Sequence, residues 1–206
     1  KDINSLKNAT ELANIYIKAG KLYYKYKQFN DAIELYQKAA TLIDTGEDES
    51  QALLAYINHE IAQCYKHLND IPKSIEYYEK ALVINQDIKD DLGAATALKN
   101  IAMAENKQHN YVRALDHAHR SLVILSKQSP TSRYAQVLLT TGIIYRNIGH
   151  YDKSLDYIQQ AKVVYGQEND VEHLAEVDNQ IGLIYTTLNQ LDNAKSFYAQ
   201  TIDLPI

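Results

Sequence analysis

The segment TGIIYRNIGHYDKSLDYIQQA, residues 141–161, carries the pattern that decides the fold. Gly142 is followed three residues later by Tyr145, and beyond a short polar stretch Ser154 is followed seven residues later by Ala161. Spacings of three, four and seven place side chains on one face of an α-helix. A glycine inside a helix costs about 1 kcal/mol relative to alanine, so we expect a neighbouring helix to pack against it. The segment predicts two amphipathic helices that are joined by a tight turn and lie close together.

The same pattern recurs five times along the chain. The small residue of the first helix is Gly20, Ala62, Ala102, Gly142 or Gly182. The small residue of the second helix is Ala32, Ser74, Ala114, Ser154 or Ala194, and these are separated by 42, 40, 40 and 40 positions. Regular spacing of this kind is typical of repeat proteins. We predict a single array over residues 1–206, with repeats at about 8–45, 50–88, 90–128, 130–166 and 170–204.

Turn and capping residues between the amphipathic segments predict where the helices begin and end. Asn69-Asp70 and Gly149-His150 mark two of the turns, and Pro72 lies where the first turn of a helix tolerates proline. The predicted helices span about 8–27, 30–44, 50–68, 71–87, 91–108, 111–127, 131–148, 151–165, 170–188 and 191–203.

Composition and charge limit the classes of function. Apolar residues make up 46% of the chain, which is typical of a globular protein, and the net charge of −5 argues against nucleic-acid binding. No apolar run approaches the length of about 18 residues that a membrane span requires. The sequence lacks an initiator Met and a signal peptide, so we expect a fragment of a longer protein. We predict a soluble segment in the cytoplasm, or in the periplasm if it belongs to a membrane sensor.

The residues that usually carry catalysis or bind metals are not arranged for either task. Cys64 is the single cysteine, so no intramolecular disulfide can form. His117 and His119 lie two positions apart, which points them to different sides of a helix. No glycine-rich phosphate loop follows a strand. We therefore predict no enzymatic activity, no catalytic residue, no cofactor and no metal.

The Gly/Ala-x-x-Tyr, aromatic-x-x-Ala and Tyr-x-x-Ala/Ser series resembles the tetratricopeptide repeat. The 40-residue step is similar to the branch with longer helices, which includes kinesin light chain, Rap-type peptide receptors and segments of bacterial sensors. The resemblance implies an all-α, right-handed superhelical solenoid of five helix-turn-helix repeats with ten helices. It also implies that the first helices line a concave groove in which a protein or peptide binds.

The resemblance places particular side chains in this groove. Of 30 groove positions, seven are Lys or Arg and two are Glu, which is opposite in sign to the acidic chain as a whole. We therefore expect a partner with an acidic segment that meets the first three repeats. The predicted partner-binding residues are Lys18, Lys21, Tyr24, Lys25, Tyr56, His59, Gln63, Lys66, Lys99, Asn100, Met103, Leu139, Ile143 and Arg146.

Two roles remain open for such a scaffold. The first is the sensory or docking region of a larger bacterial signalling protein, and the second is a Rap-like receptor for a short signalling oligopeptide. The last helix carries Phe197, Tyr198, Ile202 and Leu204 without a following helix, which predicts contact with more chain or a homo-dimer. Lys162 is expected on the outer, solvated surface.

Overall fold

The computed structural model describes residues 3–43, 48–127 and 131–202. Within these residues the chain forms ten α-helices and no β-strand, which confirms the all-α class. The helices are α1 (Ile3–Lys25), α2 (Phe29–Leu42), α3 (Asp48–His67), α4 (Ile71–Asp87), α5 (Asp91–Lys107), α6 (Tyr111–Leu125), α7 (Ser132–Ile148), α8 (Tyr151–Glu168), α9 (Val171–Thr187) and α10 (Leu191–Ile202). None of the described helices is both long and apolar enough to span a membrane.

Two helix ends differ from the prediction by more than two residues. Helix α1 begins at Ile3 instead of residue 8, because no glycine or proline interrupts the sequence between these positions. Helix α8 continues past the predicted end at residue 165, since Gly166 stays helical. The helix ends instead at Asn169, which adopts the left-handed conformation with φ of 54° and whose N–H donates to the carbonyl of Gly166 at 3.3 Å.

Most turns combine a left-handed residue with an aspartate or another capping residue. The residues with positive φ are Lys27, Asn69, Lys89, His109, Gly149, Asn169 and Asn189. The side chains of Asp70, Asp90 and Asp170 then accept hydrogen bonds from backbone N–H groups in the first turn of the next helix, at 2.9–3.3 Å. These caps allow α4, α5 and α9 to begin almost directly after the preceding helix ends.

In the first, second, fourth and fifth repeats the small residues lie where the prediction places them, at the contact between the two helices of the repeat. A side-chain carbon added to Gly142 would lie 2.5 Å from Cγ1 of Ile158, and one added to Gly182 would lie 2.6 Å from the Tyr198 ring. Ser154 also donates a hydrogen bond from Oγ to the carbonyl oxygen of Gly142 at 2.7 Å. The helices therefore approach each other more closely than any larger side chain would allow.

Gly142 and Gly166 have different surroundings, so alanine at the two positions should change the stability of the protein in opposite directions. Gly142→Ala should lower the free energy of unfolding, because overpacking against Ile158 costs about 1–3 kcal/mol and outweighs the better helix propensity of alanine. Gly166→Ala should raise it by up to about 1 kcal/mol, since nothing lies within 4 Å of the added carbon. Urea unfolding followed by circular dichroism measures both; stabilisation by Gly142→Ala would contradict the close contact.

The chain divides into two compact units, residues 1–108 and residues 109–206. In the first unit, Ile17, Ile33, Tyr36, Ile57 and Ile61 form a core between α1, α2 and α3. In the second unit the fully buried side chains of Leu138, Ile144, Ile158, Ile181 and Ile184 lie on α7, α8 and α9. Each unit thus has an apolar core of its own.

Candidate functional site

In the first unit, side chains of successive first helices meet on one surface. The Lys21 ammonium lies 4.8 Å from the centre of the Tyr56 ring, and Tyr24 Oη lies 2.8 Å from His67 Nε2. Lys107 Nζ donates to Asn69 Oδ1 at 2.7 Å. We call this surface the basic face, and define it by Lys18, Lys21, Lys25, Tyr56, His59, Gln63, Lys66, Lys99, Met103 and Lys107.

The basic face crowds like charges around a half-buried histidine. Burial, together with the positive charges of Lys99 and Lys66, lowers the pKa of His59 to about 4. Burial also lowers the pKa of Lys66, and the neighbouring charge of Lys107 adds to this effect. Because each of these groups disfavours the positive charge of the next, an anion placed among them would be stabilised by all of them.

The acidic residue on this side of the first unit is held by tyrosines. Tyr36 Oη donates to Glu60 Oε2 at 3.3 Å, and burial together with the Glu60 charge raises the pKa of Tyr36. Burial and Glu60 likewise raise the pKa of the Tyr56 hydroxyl. Glu60 is therefore engaged with phenol groups, which direct their hydroxyls toward it.

An open cavity of about 510 Å³ lies beside the basic face, between the N-terminal halves of α1 and α3. Tyr56 belongs both to the cavity and to the basic face, so the two are continuous. Of the cavity residues, Asn14 and Tyr56 were among the groove positions deduced from the repeat, whereas Thr10 and Ala52 were not. Both of these lie ten residues before the small residue of their helix, so extending the groove pattern by one helical turn would have found them. The cavity is lined by Thr10, Asn14, Glu49, Ser50, Ala52, Leu53 and Tyr56.

Ten of the fourteen predicted partner-binding residues are on or at the edge of the surface of the first unit. Lys18, Lys21, Lys25 and Met103 are exposed, with 41% of Met103 accessible. The partly buried members are Tyr24, Tyr56, His59, Gln63, Lys66 and Lys99.

The prediction is wrong for Asn100 and Leu139, which are buried with 6% and 4% exposure. Positions two and three residues before the small residue lie at the edge of the contact with a neighbouring helix, and the local neighbour decides how far they are covered. Ile17, which corresponds to Leu139, is part of the core between α1, α2 and α3. Neither Asn100 nor Leu139 is therefore available to a partner.

The second unit offers fewer of the predicted contacts. Ile143 is half-buried, and Leu183 remains 39% exposed. The guanidinium of Arg146 donates hydrogen bonds to Gln180 Oε1 and to Asn147 Oδ1. With Leu139 buried and Arg146 engaged by amides, Ile143 is the predicted partner-binding residue of this unit that stays accessible.

Lys162 does not lie on the solvated outer surface that the sequence predicts. Its Nζ is 2.5 Å from Oδ1 of the buried Asp178, 3.3 Å from Gln200 Oε1, and 5.3 Å from the centre of the Phe197 ring. This lysine joins α8, α9 and α10. Sequence reasoning missed it because Ala40 and Leu82 occupy the corresponding positions in other repeats, so the repeat gives no signal for an ion pair.

Chemically reactive groups are not assembled in the described part of the chain. Burial raises the pKa of the Cys64 thiol to about 12, so the group that would act as a nucleophile stays protonated. In residues 3–43, 48–127 and 131–202 no group of three or more His, Cys, Asp or Glu side chains could hold a metal ion. The described side chains of the basic face instead form a charged surface that is suited to binding a partner.

Two curated relatives are similar to parts of this chain. Outer dynein arm-docking complex subunit 4 from Danio rerio is 30% identical over 103 residues, which cover 50% of this chain and 20% of that protein. Protein KINESIN LIGHT CHAIN-RELATED 1 from Arabidopsis thaliana is 23% identical over 146 residues, which cover 68% of this chain and 24% of that protein. The chain therefore spans a quarter or less of the length of these relatives.

Three solved structures share the fold. BtubC (BKLC) from P. vanneervenii has a TM-score of 0.77 at 18% identity and covers 96% of this chain and 88% of its own. A Rap protein complexed with competence and sporulation factor has a TM-score of 0.75 at 20% identity, over 93% and 55% of the two chains. Aspartyl phosphate phosphatase F from Bacillus subtilis has a TM-score of 0.73 at 15% identity, over 93% and 59%. At these identities the likeness concerns the fold alone.

Family models for the tetratricopeptide repeat match residues 53–127, 93–165 and 176–205. Together these matches span residues 53–165 and 176–205, which is more than half of the chain. They coincide with the helix pairs and with the small residues at the helix contacts. The chain belongs to the tetratricopeptide repeat family.

Proposed function

We propose that this tetratricopeptide scaffold, whose family-level role is protein binding, takes an acidic segment of a partner polypeptide on the basic face of its first unit. The observation that carries the proposal is that Lys66 and Lys99 lie near His59 and that Lys107 lies near Lys66. Carboxylates of a partner would lie among these charges and remove their mutual repulsion. Tyr56 and Met103 supply apolar area beside them, as interface anchors commonly do.

The role of this binding is a second step of the proposal. We favour the sensory or docking region of a larger signalling protein of bacterial type. A larger protein is supported by the chain's partial span of its curated relatives, and the bacterial type by the fold shared with aspartyl phosphate phosphatase F from Bacillus subtilis. The alternative is a receptor for a short oligopeptide, which is supported by the fold shared with a Rap protein complexed with competence and sporulation factor. In both roles the protein acts by binding and not by catalysis.

A peptide selection tests the proposed function. Peptides selected from a random displayed library should be enriched in Asp and Glu, and their affinity should fall steeply as salt rises from about 0.05 M to about 0.5 M. Enrichment of short peptides with a defined end would favour the oligopeptide receptor, whereas longer internal segments would favour the docking role. Selected peptides without acidic residues, bound equally at both salt concentrations, would contradict the proposal.

The same peptides should bind more tightly at about pH 5.5 than at about pH 7.5. Without a ligand His59 stays neutral down to its pKa of about 4, because burial, Lys99 and Lys66 oppose its charge. A bound carboxylate raises this pKa, so binding takes up a proton and affinity increases as pH falls through the interval between about 4 and the new value. His59→Gln should remove this pH dependence while the salt dependence remains.

Contact of α10 with another copy also stays a prediction. Among the described side chains of this helix, Leu191 is the large apolar residue that is clearly exposed. The side chains of Ile202 and Leu204 lie outside the described residues. A homo-dimer through α10 would be lost on Leu191→Asp, and light scattering would then show the mass of a single chain.

A further inference from the structure

Helix α1 carries an apolar stripe on a side that no other described helix covers. Its members are Leu12, Ile15, Ala19, Leu22 and Tyr26, and their spacing of 3, 4, 3 and 4 residues is that of a coiled-coil seam. The four large side chains are 40%, 61%, 53% and 68% exposed. Exposed apolar stripes of this regularity mark interaction surfaces more often than chance.

The corresponding face of other first helices is buried. In α3 the equivalent residues Ile57, Ile61 and Cys64 are at most 1% exposed, because Ile33 and Tyr36 of the preceding helix α2 pack against them. In α9 the equivalent residues Val177, Ile181 and Ile184 are at most 2% exposed and α8 lies against that helix, whereas Leu188, the equivalent of Tyr26, is 38% exposed. A first helix therefore packs this face against the preceding second helix where one is present. In α1 it is open among the described residues.

The charges that border the stripe suggest which helix it takes. Glu11, Lys18 and Lys25 directly precede Leu12, Ala19 and Tyr26, so the three lie along one edge of the stripe at intervals of seven residues. All three are exposed, and within the part of the chain that the structure describes none pairs with an opposite charge. The order along the edge is negative, positive, positive.

Two copies of α1 can pair in parallel or in antiparallel registers, and one antiparallel register brings their opposite charges together. A parallel pair would place the three charges beside Tyr16 and Tyr23 of the second copy and form no ion pair. An antiparallel pair centred near residue 21 would bring Lys18 next to Lys25. An antiparallel pair centred near residue 18 places Glu11 of each copy opposite Lys25 of the other, at both ends of the seam.

The same arrangement suits the sizes of the apolar residues. Ala19, the smallest member of the stripe, lies next to Ile15 of the second copy at the centre, where the two helices cross most closely. Leu12 lies against Leu22 at either side. Lys18 of one copy lies opposite Lys18 of the other, and this is the single pair of like charges. It lies at the edge of the seam, where long side chains can reach into solvent.

We propose that two copies of the protein associate through α1, antiparallel about a two-fold axis near residue 18, with Glu11 of each copy opposite Lys25 of the other. This association goes beyond the proposed function: Lys18 and Lys25 belong both to the basic face and to the edge of the stripe, whereas Lys21, which lies over Tyr56, belongs to the basic face alone. The stripe on α1 has four exposed large apolar side chains, whereas among the described side chains of α10 Leu191 is the exposed one.

Light scattering and sedimentation give the first test. The protein should have about twice the mass of one chain, and Ile15→Asp with Leu22→Asp should raise the dissociation constant of the dimer by at least about 100-fold. Both residues are exposed, so the variant should keep its helical content and its cooperative unfolding, and its unfolding temperature should fall only by what the loss of the second copy removes. The control is Val83→Asp with Val163→Asp, two residues on α4 and α8 that are 55% and 53% exposed, and it should remain dimeric.

Exchange of charges tests the orientation. Glu11→Lys alone and Lys25→Glu alone should each weaken the dimer by about tenfold, because each creates two pairs of like charge. The double variant with both changes should restore the affinity. A dimer in which the two single changes add, with no restoration, would overturn the antiparallel arrangement.

A cross-link locates the axis. Lys18→Cys should form a disulfide between two copies under mild oxidation, because residue 18 faces its own copy at the axis, whereas Lys21→Cys should not. The native Cys64 is buried and does not compete. A monomer at every concentration, or a dimer that survives the Ile15 and Leu22 changes or is lost on Leu191→Asp, would overturn the proposal.

Discussion

Lys162→Glu should lower the free energy of unfolding by about 3 kcal/mol, which is the range observed when one partner of a buried ion pair is removed. The substitution would place a carboxylate where Nζ lies 2.5 Å from Oδ1 of the buried Asp178. Two carboxylates would then share a site from which water is largely excluded, and the cation above the Phe197 ring would be lost. Urea unfolding followed by circular dichroism at neutral pH measures the change.

Two variants separate this effect from a general effect of charge reversal. Lys80→Glu also breaks an ion pair, with Glu76 at 2.6 Å, but both side chains are about half exposed, so the loss should stay below about 1 kcal/mol. Adding Asp178→Asn to Lys162→Glu removes one of the two like charges and should recover part of the loss. Equal effects of the Lys162 and Lys80 changes would show that Lys162 is solvated, as the sequence suggested.

Lys21→Glu together with Lys66→Glu should weaken binding of an acidic peptide by about 100-fold, because the field of the basic face is reversed at two points. The protein should keep its helicity and its unfolding temperature. Lys21 is exposed, and a carboxylate at position 66 would lie near Lys107, whose positive charge favours it. Fluorescence polarisation of a labelled peptide from the selection provides the measurement.

The matched control for this variant is Lys38→Glu together with Lys80→Glu. These lysines lie on the second helices α2 and α4 of the same two repeats, each in an exposed pair with the glutamate one turn earlier. The net charge changes equally in both double variants. If the control loses the peptide and the variant of the basic face keeps it, the peptide binds on the second helices and the proposed site is wrong.

The repeat could be predicted from the sequence because its strongest constraints are local. Gly142 and Ser154 are small for a reason that a repeated spacing reveals, namely the close approach of two helices within one repeat. The end of α8 could not be predicted, because Gly166 resembles a terminator but stays helical until Asn169 supplies the left-handed residue. Glycine is permissive in both conformations, so its identity alone does not decide between them.

The site was predicted less completely than the fold, because exposure depends on neighbours that the repeat does not specify. Asn100 and Leu139 occupy positions that are partly open in other repeats, yet each is buried. The partnership of Lys162 with Asp178 joins different helices at positions that are not charged in the other repeats. The lysines of the first unit were easier to place, since their side of each helix follows from the same spacing as the small residue.

A photo-cross-linker at Met103 tests directly whether a partner segment lies on the basic face of the first unit. Met103 is 41% exposed on α5, next to the half-buried lysines, whereas Val83 is 55% exposed on the second helix α4. With p-benzoylphenylalanine at position 103, an acidic peptide from the selection should be captured on irradiation, and Lys66→Glu should abolish the capture. With the cross-linker at position 83, capture should be absent. Capture at position 83 together with none at position 103 would contradict the account.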